Sequence, residues 1–99
     1  MKNETILIGK NVIELQIKAL KKLKNHIDKS FDDAVKAIIN CKSKVIICGV
    51  GKSGIIASKI SATLSSVGTP SFTVSASDCS HGDLGRITKK DILILISYS

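Results

Sequence analysis

The stretch from Lys44 to Gly54, Lys-Val-Ile-Ile-Cys-Gly-Val-Gly-Lys-Ser-Gly, constrains the fold of this chain more than any other. Val45 to Cys48 is a short unbroken apolar run, the pattern of a strand buried on both faces. Gly49, Gly51 and Gly54 follow. Ile56, Ile60 and Leu64 then recur every fourth residue within Ile55–Val67, which is a helical period. A strand that passes through a glycine turn into a helix puts backbone N–H groups and a helix N-terminus at the strand's end. That arrangement can hold a phosphate group.

The turn Gly49-Val50-Gly51-Lys52-Ser53-Gly54 matches GxGxxG in the strand-to-helix context that the motif requires. It is not a P-loop, which needs glycine five residues before Gly51, where this chain has Ile46. A dinucleotide site wants an acidic residue at the end of the second strand. Val74-Ser75-Ala76-Ser77 stands there, the first acid being Asp78, so NAD binding is disfavoured and no cofactor is expected.

The rest of the chain reads as helices and strands in alternation. Ile13, Ile17, Leu20, Leu23 and Ile27 line one face of a helix over residues 8–28. Ser30 opens a second helix, with Asp33 in its first turn, ending near Cys41. Gly68 closes the helix after the glycine turn, and Pro70 starts an extended segment. Phe72–Val74 is a second strand, Ser75–Arg86 a polar loop, and Ile92–Ile96 a third strand. Strands separated by helices imply parallel pairing with right-handed crossovers. The fold class is therefore α/β, with a parallel sheet of about three strands preceded by two helices. Ile92–Ile96 is apolar throughout, and no helix follows it in these 99 residues, so one face or edge of that strand is expected to stand open. The chain reads as the front part of a larger α/β domain.

Composition removes several classes of function. The net charge is +7, but fourteen of the fifteen basic residues are lysines scattered from Lys2 to Lys90. The only aromatics are Phe31, Phe72 and Tyr98, too few to stack on bases, so no nucleic-acid partner is expected. A basic chain still favours anionic small ligands. Cys41, Cys48 and Cys79 show no CxxC spacing, which argues against a disulfide framework or a zinc site and for a reducing cytoplasm. No apolar run has the length that spans a bilayer, so no membrane partner is expected.

Three further groups carry candidate chemistry. Lys52, inside the glycine turn, can neutralise a phosphate or a developing oxyanion, although an exposed lysine is the ordinary reading. His81, in His81-Gly82-Asp83-Leu84-Gly85, can polarise a carbonyl or carry a proton near neutral pH; a turn histidine bonded to Asp83 is its plain alternative. Ser97 and Ser99, at alternate positions after the third strand, can donate to one phosphate.

The glycine turn, Gly68-Thr69-Pro70-Ser71-Phe72 and His81-Gly82-Asp83-Leu84-Gly85 occur in this order in the arabinose-5-phosphate isomerases. These are sugar isomerase (SIS) domain enzymes of the KdsD/KpsF type. The chain resembles that family from about Lys10 onward. The resemblance implies a Rossmann-like, flavodoxin-type SIS domain, of which residues 1–99 form the N-terminal portion, without the paired CBS domains of the family. It implies interconversion of D-ribulose 5-phosphate and D-arabinose 5-phosphate, a step toward Kdo for lipopolysaccharide or capsule. It assigns Lys52 and His81 to catalysis. Gly51, Ser53, Gly68, Thr69, His81, Ser97 and Ser99 are assigned to the sugar phosphate, and the full-length family forms homo-oligomers.

Three departures from the family pattern bear on these expectations. Ser75 stands where the family usually has histidine, so no metal site is expected. Tyr98 replaces an asparagine of the phosphate loop and crowds it. The downstream glutamates and histidine of the family lie outside these 99 residues, so the chain alone is expected to be inactive. A sugar-phosphate-binding module without catalysis and a gene remnant without a stable product are the alternative readings.

Overall fold

The computed structural model describes residues 2–75 and 83–97. The chain divides into two compact units, residues 1–34 and 35–99. Helix α1 (Lys2–His26) belongs to the first unit, and helix α2 (Lys29–Ile39) begins in it. The second unit holds strand β1 (Val45–Gly49), helix α3 (Lys52–Ser66), strand β2 (Ser71–Val74), a 3₁₀ turn at Asp83–Arg86 and strand β3 (Ile92–Ile96).

Helix α1 starts six residues before the start read from periodicity, because Asn3 to Leu7 continue the turn without a breaker. Its apolar stripe is helical as expected, but Ile13, Leu20, Leu23 and Ile27 are all solvent-exposed. The start of α2 also differs from expectation. Asp28, not Ser30, is the capping residue. Its Oδ1 accepts the Ser30 backbone N–H at 2.9 Å and the Ser30 hydroxyl at 2.6 Å. These two bonds, the hydroxyl's first, hold the Asp28 carboxyl below its ordinary pKa. Asp33 instead pairs with Lys29 at 3.1 Å, one helical turn back.

The sheet is parallel throughout, in the order β2-β1-β3. β1 is the central strand, which explains its unbroken apolar run: Val45, Ile46 and Ile47 have no exposed surface. The register sets Ile46 beside Phe72 and Leu93, and Cys48 beside Val74 and Leu95. Val45 and Ile47 point to the other face, where Ala57 and Leu64 of α3 and Ile38 of α2 pack with Ile92, Ile94 and Ile96. Thus the β1-to-β2 crossover covers one face.

The β2-to-β3 connection covers part of the opposite face, where Ile87 packs on the cluster of Ile46, Cys48 and Val74. The Arg86 guanidinium lies 4.6 Å from the centre of the Phe72 ring on that side. Coverage stops at β3. Its residues alternate, and Leu93 and Leu95 remain 43% and 69% exposed. The open face expected of this strand is present.

The N-terminal edge of the sheet is held by Asp91. Its carboxylate, with a fully buried side chain, meets the Lys44 ammonium at 2.9 Å. It also accepts from the Ser43 hydroxyl and, at 2.7 Å, from the Thr88 amide. This ties the entry of β1 to the entry of β3. The Ser43 hydroxyl bond first, then the Thr88 amide, with Lys44 adding to them, hold the Asp91 carboxyl well below the usual carboxylate range. A carboxylate with a depressed folded pKa stabilises the fold above the unfolded value of about 4, and loses that contribution as pH falls below it. Urea midpoints at pH 7 and pH 3 check this. The native chain is expected to lose stability between these pH values more steeply than Asp91→Asn, which starts from a lower midpoint at pH 7.

Candidate functional site

The site is built where β1 ends. Gly49 closes the strand, and Gly51 caps α3 with φ 59° and ψ −125°, a conformation that L side chains rarely adopt. This reverses the chain within two residues. The Ser53 amide then donates to the Val50 carbonyl at 3.1 Å, and the Gly54 amide to the Gly51 carbonyl at 3.0 Å. Gly49 is required for a different reason: a Cβ there would lie 2.6 Å from the Ser53 backbone carbon and oxygen. Only bare backbone lets the first turn of α3 sit directly on the strand end.

A cavity of about 280 Å³ opens between the ends of β1 and β3. Cys48, Gly49, Val50 and Ser53 line it on one side, and Leu95, Ile96 and Ser97 on the other. Ser53 is a buried polar residue, 8% exposed, in the first turn of α3. The positive end of the helix dipole therefore faces this crevice together with a hydroxyl. In a sheet of order 2-1-3 the crevice between β1 and β3 is the topological switch point, where open α/β sheets bind their ligands.

The residues singled out from sequence divide into four groups. Ser53 and Ser97 both line the crevice. Gly51 shapes the turn and Lys52, exposed, is the first residue of α3 at its rim. Gly68 and Thr69 lie at the other end of α3, which spans 15 residues and hence about 22 Å. There Gly68, at φ 96°, and the Thr69 amide, bonded to the Leu64 carbonyl at 2.9 Å, terminate the helix. Within this chain the structure does not bring these two to the crevice. His81 and Ser99 lie outside the described residues. Cys48, Leu95 and Ile96 carry no signal in the sequence that marks them as site residues, because their place depends on the parallel register of β1 and β3. Among the described residues there is no cluster of three or more His, Cys, Asp or Glu side chains that could hold a metal.

A glycine turn, a helix N-terminus and facing serines at the switch point of a parallel sheet define an α/β domain suited to an anionic small ligand. The comparisons with known proteins narrow this class. The SIS domain family matches residues 38–99, and the chain belongs to that family. It is 46% identical over 91 residues to an arabinose 5-phosphate isomerase KdsD of Yersinia pestis, covering 92% of this chain and 28% of that protein. It is 51% identical over 88 residues to the Francisella tularensis KdsD, covering 86% of this chain and 27% of that protein. The chain thus spans less than a third of the curated relatives it matches. Among solved structures, Escherichia coli CFT073 c3406 in complex with arabinose 5-phosphate aligns with all of this chain and 53% of its own, with TM-score 0.89 and 40% identity.

The turn makes a direct prediction. Gly51→Ala is expected to destabilise the second unit by about 1–3 kcal/mol through backbone strain. Gly49→Ala is expected to displace the first turn of α3 and abolish the crevice. Denaturant melts and amide chemical shifts of residues 49–54 check both.

Proposed function

We propose that this chain is the N-terminal portion of the SIS domain of an aldose–ketose isomerase acting on D-ribulose 5-phosphate and D-arabinose 5-phosphate. The observation that carries the reading is the β1/β3 crevice, with Ser53 and the α3 N-terminus facing Ser97. The neighbour in complex with arabinose 5-phosphate, which aligns with the whole chain, supports it. The product class fits a route to Kdo and lipopolysaccharide in a bacterial cytoplasm. The protein is read as a homo-oligomer with no nucleic-acid or membrane partner. No helix among the described residues is long and apolar enough to cross a membrane.

The chemistry is a proton transfer between adjacent carbons through an enediol. The Ser53 and Ser97 hydroxyls and the dipole of α3 bind the phosphate and so fix the substrate. Lys52 supplies positive charge where the enediolate oxygen develops. His81, in the connection after β2, takes the part of a proton carrier to oxygen. The residues that hold the substrate are thus distinct from the group that removes the carbon-bound proton. No carboxylate among the described residues lines the crevice. We assign the general base to the part of those longer relatives that this chain does not span.

Two outcomes follow. The isolated 99-residue chain, incubated with D-ribulose 5-phosphate, is expected to bind it at millimolar concentration without isomerising it. Turnover at an ordinary isomerase rate would contradict the assignment of the base. In a protein carrying the whole domain, Lys52→Met is expected to lower kcat about 100-fold or more while changing KM little. An unchanged kcat would remove Lys52 from the mechanism.

A further inference from the structure

A second hollow lies on the other flank of the glycine turn, between α3 and the end of β2. Its volume is about 200 Å³, and its polar lining comes from Ser58, Thr73 and Ser75, with the backbone of Gly49 and Gly54 completing it. We propose that this hollow recognises the hydroxylated carbon chain of the sugar phosphate, with Thr73 and Ser58 as specificity-determining residues. The inference rests on the reading of the β1/β3 crevice as the phosphate site.

Three observations lead to it. First, Gly49 lines both cavities. A Cβ at that position would collide with the Ser53 backbone, so no side chain of residue 49 stands between the two hollows. Second, the two differ in chemistry. The crevice has the positive end of α3, which suits a dianion. Among the described residues, the second hollow is lined by three hydroxyl-bearing side chains and by no charged one. Each hydroxyl offers one donor and two acceptors, which matches sugar hydroxyls and a carbonyl better than a phosphate.

Third, the hydroxyls stand on regular elements. Thr73 pairs with Ile47 in the parallel register and so points to the α3 side of the sheet. Its branched Cβ restricts its rotamer. Ser58 lies one helical turn beyond Gly54, on the same helix that carries Ser53. A single ligand laid over the glycine turn would have its phosphate set by one flank and its hydroxyls read by the other. A site that hydrogen-bonds substrate hydroxyls discriminates strongly against analogues that lack them.

The test titrates the isotope-labelled 99-residue chain with inorganic phosphate and, separately, with D-arabinose 5-phosphate. Thr73→Val and Ser58→Ala are each expected to weaken D-arabinose 5-phosphate roughly 3- to 10-fold, one neutral hydrogen bond's worth. Binding of inorganic phosphate should stay as in the native chain. Thr73→Ser, which keeps the hydroxyl, should restore the sugar phosphate, and this rescue separates recognition from packing. If the variants bind both ligands like the native chain, or weaken both equally, the hollow has no part in recognition and the phosphate reading survives. If the native chain binds neither ligand, the phosphate reading fails and this inference fails with it.

Discussion

The contact on which the rest depends is the approach of Gly49 to the backbone of Ser53. Because no Cβ intervenes, the first turn of α3 starts directly on the end of the central strand. This seats Ser53 over the crevice, aims the helix dipole at it and leaves an open hollow on each side of the strand end. The positive φ of Gly51 makes the reversal possible, and the parallel pairing of β1 with β3 brings Ser97 opposite. Fold and binding chemistry thus meet in one turn of backbone.

The sheet around that turn is unevenly finished. One face is closed by α3 and by Ile38 of α2, in close aliphatic packing on Val45 and Ile47. The other is covered in part by Ile87, which packs on Ile46, Cys48 and Val74, and by Arg86 over Phe72. Leu93 and Leu95 stay exposed. The Asp91 cluster holds β1 and β3 together at the end opposite the crevice, so the strand ends that build the site are aligned from below. The crevice between β1 and β3 thus has a polar clamp at the opposite end of the same two strands.

Much of this is legible in the residues themselves. The apolar run Val45–Cys48 and the glycines after it announce a central strand and a helix start, since few other structures use that pattern. Strand order and register are not legible, because the strands are short and the two aliphatic ones, β1 and β3, offer no pairing preference. That is why Cys48, Leu95 and Ile96 enter the site only through the structure. The cap of α2 falls two residues before the one expected, because Asp28, Ser30 and Asp33 are all good capping types and only geometry separates them. Gly68 and Thr69 read as site residues through family resemblance, while within this chain their local work is to end α3. His81 and Ser99 remain assignments from sequence.

The most direct test of the central claim is a crystal structure of the protein with D-arabinose 5-phosphate bound. The phosphate is expected in the crevice between β1 and β3, within hydrogen-bonding distance of the Ser53 and Ser97 hydroxyls. A phosphate bound elsewhere on the domain, with that crevice empty, would contradict the assignment.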